Sequence, residues 1–368
     1  MSLKKIAEMT GVSVSTVSRV LNNRDYNCAS EELKDRIWKA AEEIRYIPNE
    51  SARNLKMGKV TGRPVLARNL AVILERFSSL DDDPFFRELY RSVEQEAFAC
   101  GCTLSGVCSL EAVQSNAGRK DKAGGVGSDF RGNENDSGDV AKLAPHEIYP
   151  KTDSADGYII LGRCSPETLK KLRMISKNIV SISRNPTQFE VDEIICDGRT
   201  AAVHAVDYLI RKGFRRIGYI GDCSYEDRYV GYCDTMIRND LPLDYANIIP
   251  TDQTARSGCA AMKKLLTQAE HPVEAIFCAN DATAIGALQG WQEYQAAVHR
   301  KTRAMPALIS IDDIREAAEA TPSLTTVHIP HEDMGKAAVK LLLDRMEKGH
   351  TENVRVEFPS RLVIRESC

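Results

Sequence analysis

Apolar residues recur every three or four positions in three short stretches at the start of the chain, and a different rhythm follows. In residues 3–10 (LKKIAEMT), Leu3, Ile6, Ala7 and Thr10 share one helical face, and Ser2 stands where it can cap the helix. Gly11 supplies a sharp turn and Ser13 caps a second predicted helix, VSTVSRVLNN, whose inner stripe is Val12, Val17, Val20 and Leu21. The opposite face carries Val14, Ser15, Thr16, Ser18 and Arg19, with Asn22 near the end. A third helix from Ser30, SEELKDRIWKAAEEIRY, turns Leu33, Ile37, Ala40, Ala41 and Ile44 inward, and Glu31 and Glu32 suit the positive end of its dipole. Two helices joined by a glycine turn, the second with small polar residues outside, make the helix-turn-helix pattern. A three-helix bundle that binds protein shares this outline.

Residues 46–59 (YIPNESARNLKMGK) come next. Pro48 fixes the entry, Asn49 can cap a helix from Glu50 to Leu55, and the segment is too short and too poor in apolar residues to be a stable helix alone. Such a segment can fold on binding, with Leu55 as a wedge in a minor-groove base step and Lys56 and Lys59 on the backbone.

From about residue 69 short apolar runs alternate with amphipathic helices. Strands are predicted at 69–74, 102–107, 156–161, 178–183, 215–221, 274–279 and 306–311, with helical runs such as FFRELYRSVEQEAFACG and TAAVHAVDYLIRKG between them. Alternation of this kind gives an α/β body of parallel sheets covered by helices on both faces. The strands are too many for one compact sheet, so two lobes are expected, with a ligand cleft where strand carboxyl ends face each other.

Charge sharpens the contrast between the two parts. Residues 1–70 hold 13 Lys+Arg against 8 Asp+Glu, a net of +5, whereas the other 298 residues carry −8. A basic amino end on an acidic body points to a polyanion as partner of the amino end. Arg19 suits a two-bonded contact with guanine, Ser15 and Thr16 can bond phosphate or base, and Val14 can meet a thymine methyl. No secretory signal and no membrane-spanning apolar run are read, so a cytoplasmic location and no membrane partner are expected. The 11 cysteines are scattered apart from Cys100 and Cys102, and buried reduced thiols fit them better than a metal site. His328 and His331 invite a metal reading, but their TVHIP setting suits packing or surface roles. No metal and no cofactor is expected. There is no P-loop, no G-x-G-x-x-G after a strand and no G-x-S-x-G, which argues against an enzyme. A transport sugar-binding protein would leave the amino-terminal helices unexplained.

The motifs LKKIAEMTGVSVSTVSRVLNN and RYIPNESARNL closely resemble the DNA-binding headpiece of the lactose-repressor/galactose-repressor family. The resemblance implies that Val14, Ser15 and Arg19 read the major groove, with Thr16, Ser18, Asn22 and Asn49 at the same interface. It also implies a hinge helix ending in Leu55 as minor-groove lever. The body stretches FFRELYRSVEQEAFACG, YLIRKGFRRIGYIGD, DRYVGY, FCANDATAIGALQ, SIDD and SLTTVHIPHEDMGKAAVKLLLDRM resemble, in order, the periplasmic-binding-protein-like effector domain joined to such headpieces. Together they cover nearly the whole chain.

The implied layout is a headpiece at 1–48, a hinge helix and linker at 49–68, and a two-lobed body at 69–368. Lobe one is expected at about 69–198 and 312–329, and lobe two at about 199–311 and 330–368. Arg228 is implied to hydrogen-bond effector hydroxyls or a carboxylate, Asp281 to accept from hydroxyls, and Phe86, with Phe85, to pack near the ligand. Gln253 falls where some relatives carry a pocket aromatic. Other readings stay open: a helix cap for Asp281, a surface ion pair for Arg228, plain core for Phe86. An arginine and an aspartate facing one cleft suit a neutral polyol. The implied function is a repressor of a carbohydrate-utilisation operon released by a small sugar or glycoside. Control by a corepressor or a partner protein is the alternative. A homodimer on a palindromic operator is expected, with faces around 72–100 and 284–294. Residues 111–147 depart from the family, with six glycines from Gly118 to Gly138 and almost no aliphatic residues there, and read as a flexible insertion.

Overall fold

The computed structural model describes residues 3–22, 30–43, 68–74, 80, 83–108, 155–188, 190–224, 226–267, 272–297 and 304–368. Asn49, Leu55 and the insertion at 111–147 lie outside these residues.

Helices α1 (Leu3–Thr10), α2 (Val14–Asn22) and α3 (Glu31–Glu43) form the amino-terminal unit. Ile6, Val17 and Ile37 are fully buried at its centre, surrounded by Ala7, Val20, Leu21, Ala40 and Ala41. Gly11 makes the turn between α1 and α2 with φ at +70°, a conformation that suits a residue without Cβ. Ser13 caps α2 by accepting from the Thr16 amide at 3.1 Å, and Ser30 accepts from the Leu33 amide at 3.3 Å at the start of α3.

The body begins with β1 (Asn69–Leu74), α4 (Pro84–Ala99), β2 (Thr103–Cys108), β3 (Gly157–Leu161), α5 (Pro166–Ile175), β4 (Ile179–Ser183) and β5 (Asp192–Ile195). It continues with α6 (Gly198–Arg211), β6 (Ile217–Gly221), α7 (Asp227–Arg238), β7 (Ile248–Pro250), α8 (Ala255–Thr267), β8 (Ala275–Cys278) and α9 (Asp281–Ala297). Then follow β9 (Ala307–Asp312), α10 (Arg315–Glu319), β10 (Thr325–His328), α11 (His331–Met346), β11 (Arg355–Glu357) and β12 (Arg361–Val363).

Two six-stranded sheets result, ordered β11-β5-β4-β3-β1-β2 and β12-β10-β9-β8-β6-β7. All pairs are parallel except β10 with β12. Strands β3 and β4 are buried along their whole length, which is why they read as unbroken apolar runs. The headpiece meets the body through α3 and α4, where the Trp38 ring stands edge-on to Phe98 at 5.0 Å and Asp35 pairs with Arg91.

The chain passes between the sheets before α6, before α11 and again between β11 and β12. This corrects the expected return path, which gave 312–329 to lobe one and 330–368 to lobe two. Strand β10 stays in the second sheet, in parallel register with β9 from Thr325 opposite Ile309 to His328 opposite Asp312. Helix α11 instead covers the first sheet with Met334, Ala338, Val339 and Leu342 buried, and the Leu342 side chain lies against Gly157 of β3. Strand β11 then extends the same sheet beside β5. A polar lock holds this return in place. Asp192, wholly buried at the start of β5, accepts from Arg345 Nη2 at 2.7 Å, the Val354 amide at 2.8 Å and His350 Nε2 at 2.9 Å.

Candidate functional site: a reading helix and an interlobe cleft

On α2 the buried stripe fixes which residues face out. Val17, Val20 and Leu21 point into the bundle, so Val14, Ser15 and Arg19 are exposed and Thr16 and Ser18 half-buried on the other side. Val14 is 43% exposed on this face. The Ser13 hydroxyl lies 2.8 Å from those of both Ser15 and Thr16, a small polar cluster at the first turn. Asn22 is the last residue of α2. Arg36 donates to the Thr10 carbonyl at 3.5 Å, tying α3 to the end of α1.

The second candidate site lies between the lobes, at the carboxyl ends of their parallel strands. From lobe one, Asp83 caps α4 by accepting from the Phe85 amide at 2.9 Å, and Phe85 and Phe86 follow, edge to face at 5.4 Å. Phe86 packs on Gly162, whose φ of +80° and lack of a Cβ make room for the ring. Arg184, just past β4, lays its guanidinium 4.3 Å from the Phe85 ring centre and pairs with Asp312 at the end of β9. Both partners are buried. Burial lowers the pKa of Arg184 and raises that of Asp312 well above the usual carboxylate value, while each charge opposes the shift of the other.

From lobe two, Arg228 in the first turn of α7 is only 2% exposed. Its Nε donates to Glu226 at 2.7 Å, Nη1 to the Ala279 carbonyl at 2.6 Å and Nη2 to Gln253 Oε1 at 2.9 Å. Burial works against the Arg228 charge, but the Glu226 carboxylate outweighs it and holds the pKa above the ordinary arginine value. Tyr219, Tyr229, Tyr232 and Phe277 form a ring cluster beneath α7, and Tyr232 donates to the Ile217 carbonyl at 2.8 Å, so Arg228 stands on a packed base. Gly198 separates the two arginines: a Cβ there would lie 3.1 Å from the Arg184 carbonyl and 3.3 Å from Arg228 Cγ. Gln253, with φ at +64°, accepts from Asn280 Nδ2 at 3.1 Å through its carbonyl, while its own Nε2 is buried without a hydrogen-bond partner.

Asp281 does not join this group, which corrects the expected role. Its Oδ1 accepts from Ser310 at 2.5 Å and Thr326 at 2.6 Å, and its Oδ2 from the Ile314 amide at 2.9 Å, all within lobe two. Burial raises its pKa to about 6 against the pull of those hydrogen bonds. Nor does it cap α9. Asn280 does, accepting from the Thr283 amide at 3.0 Å. The carboxylate that reaches the cleft is Asp312. Arg184, Glu226, Asn280 and Asp312 were missed in the sequence, and the only signal was their position one or two residues past apolar runs or before a helix.

Among the described residues the lobes also touch beside this group. Arg87 pairs with Glu316 at 3.1 Å, Arg163 donates to the Ser224 carbonyl at 2.9 Å, and the Asp227 amide donates to Asn185 at 3.0 Å. The void under Phe85, Phe86 and Arg184 is about 10 Å³, no more than one water needs.

A reading helix with an open polar face, carried on a two-lobed α/β body with a polar cleft, defines a DNA-binding regulator of the periplasmic-binding-protein-like type. Residues 2–49 match the model of the lacI family of bacterial regulatory proteins, and residues 206–368 that of the periplasmic binding protein-like domain. The transcriptional repressor MelR of Bacillus subtilis is 29% identical over 100% of this chain and 97% of its own length. The repressor PurR of Shigella sonnei is 26% identical over 100% and 96%. Among solved structures, the CelR–cellobiose complex superposes with a TM-score of 0.63 at 23% identity, covering 100% of both chains. The Lac repressor bound to ONPG gives 0.62 at 20%, covering 100% of this chain and 99% of that one. The chain belongs to the lacI family: it is a sequence-specific DNA-binding transcriptional regulator, not an enzyme.

Proposed function

We propose that the protein is a cytoplasmic homodimeric repressor of carbohydrate-utilisation genes, released from a palindromic operator when a small neutral sugar or glycoside enters the interlobe cleft. The observation that carries this reading is the balance of the cleft. Arg184 and Arg228 are matched by Asp312 and Glu226, and the buried Gln253 Nε2 still lacks an acceptor. Donors and acceptors without excess charge, beside the Phe85 and Phe86 rings, suit hydroxyl groups on a ring with apolar faces. A sugar hydroxyl can take the place of Arg184 on Asp312, and another can accept from Gln253.

On the DNA side, Val14, Ser15, Thr16, Ser18, Arg19 and Asn22 meet the major groove, and the hinge of Asn49 and Leu55 the minor groove. One headpiece reads a half-site, so two copies related by a two-fold axis match a palindrome. Surfaces around 72–100 and 284–294 are the proposed dimer faces. The test is a thermal-shift screen of the full chain with sugars, cellobiose among them, and sugar phosphates, followed by operator titration with each hit. Stabilisation by a neutral sugar together with weaker operator binding supports the proposal. Tighter operator binding reverses its sign to corepression, and hits confined to phosphates overturn the neutral-ligand assignment.

A further inference from the structure

Helix α11 begins at His331, directly after the chain has passed from lobe two to lobe one, and its ring stands 5.9 Å from the Phe85 ring of the cleft. Its Nδ1 lies 3.3 Å from the Ile329 carbonyl, which can only accept, so Nδ1 carries a hydrogen. Nε2 faces Glu88 of α4 at 3.4 Å. With Nδ1 protonated, the contact between Nε2 and the carboxyl needs one further proton, held by either partner. Glu88 is also crowded by other charges. Glu316 and Arg315 of α10 face it from lobe two, Glu332 from α11, and Arg87 from its own helix. The imidazole is faced by Glu332 of its own helix and by His328 and Asp313 from lobe two. Glu316 forms the cross-lobe pair with Arg87 at 3.1 Å, and its other carboxylate oxygen is buried without a hydrogen-bond partner.

We propose that Glu88 and His331 share a single proton at the hinge, and that losing it loosens the Arg87–Glu316 contact and lets the lobes part. While the proton is present, Glu88 is neutral and Arg87 holds Glu316 unopposed. When it leaves, a carboxylate appears beside Glu316 and Glu332, and like charges repel across the lobe boundary. Burial, then Glu316, raises the pKa of Glu88 to about 7, and burial lowers that of His331, so the shared proton rests on the carboxyl and leaves near neutrality. The inference goes beyond the sugar reading: it gives the regulator a second input, acidity, acting on the same lobe movement.

The test uses the full chain with no sugar added, so failure of the sugar screen would leave its outcome intact. Hydrogen exchange of the peptide covering 314–320, corrected for intrinsic rates, is compared at about pH 6 and about pH 8.5. Wild type should exchange about tenfold faster at the higher pH, and Glu88→Gln, a permanently neutral partner, should stay protected at both. Histidine nitrogen spectra should show His331 as the Nδ1–H tautomer, with a shift near neutral pH that Glu88→Gln abolishes. A Glu316→Gln variant, which removes the repelled charge, should lose the pH dependence even if its lobes are looser throughout. Equal exchange in wild type at the two pH values, or pH-dependent exchange in Glu88→Gln, would overturn the proposal.

Discussion

Replacing Asp281 by alanine separates two roles for this residue, effector ligand or internal support. In the structure its carboxyl accepts three hydrogen bonds from Ser310, Thr326 and the Ile314 amide, and all three donors are buried. Truncation leaves them without an acceptor. Hydroxyls can rotate to other partners but an amide cannot, so the Ile314 N–H should bear the full cost of about 1–3 kcal/mol and the two hydroxyls part of theirs. With the small cavity added, Asp281→Ala should lose about 3–5 kcal/mol, a fall of roughly 5–8 °C in melting temperature for a lobe pair of this size. The pH dependence has a definite sign. The folded pKa, about 6, lies above the unfolded value of 3.8, so the folded chain holds the proton more tightly. That contribution is fully present below the unfolded value and is lost as pH rises through about 6. The variant should lack this part of the slope of stability against pH. Differential scanning calorimetry at several pH values, paired with operator titration in the presence of a sugar hit, reads both quantities. A variant that melted within about 2 °C of wild type yet no longer responded to the sugar would refute the structural assignment and restore Asp281 as a ligand.

Asp312→Asn leaves the buried Arg184 guanidinium without its carboxylate, so it should melt below wild type and also lose the sugar response, measured by calorimetric titration on the folded variant; an unchanged sugar affinity would remove Asp312 from the site. Arg19→Ala should weaken operator binding by about 1–3 kcal/mol and random duplex less, read by fluorescence anisotropy, and equal losses on both would reduce Arg19 to a phosphate contact. Arg345→Met strands the buried Asp192 with only His350 and the Val354 amide, and should cost about 3 kcal/mol in denaturant titration. Because hydrogen bonds from Arg345, Val354 and His350 hold the Asp192 pKa below 3.8 despite burial, its stabilisation is present above that pH and lost below it, and acid unfolding of the variant should begin at higher pH than in wild type.

Much of the chain could be read from local pattern because local pattern is what its helices and inner strands obey. The stripe of Val17, Val20 and Leu21 determines the outer face of α2 without any knowledge of the body. The predicted strand runs at 156–161 and 178–183 overlie β3 and β4. What stayed hidden depends on partners distant in sequence. Asp281 and Asp312 both follow apolar runs that end at the cleft, and nothing local separates them. The difference is that Ser310 and Thr326, on neighbouring strands, satisfy one carboxylate, while Arg184 from the other lobe meets the other. The return path failed for the same reason: β10 is short and threonine-rich, and its place beside β9 is set by pairing across the sheet.

The interleaving of the two sheets bears on how the chain is made. Strand β5 leaves the ribosome with its outer edge still open, and the strand that covers it, β11, is translated some 160 residues later. The second sheet also receives its last strand, β12, only after the chain has gone back to the first sheet to lay down α11 and β11. Neither lobe is therefore a unit of synthesis. A nascent chain exposes the β5 edge until β11 is made and the β10 edge until β12 is made, the period in which strand edges recruit other chains. A chain interrupted before β11 would leave both sheets short of a strand rather than trimming one lobe, so such lesions should yield aggregated chain instead of a shortened regulator.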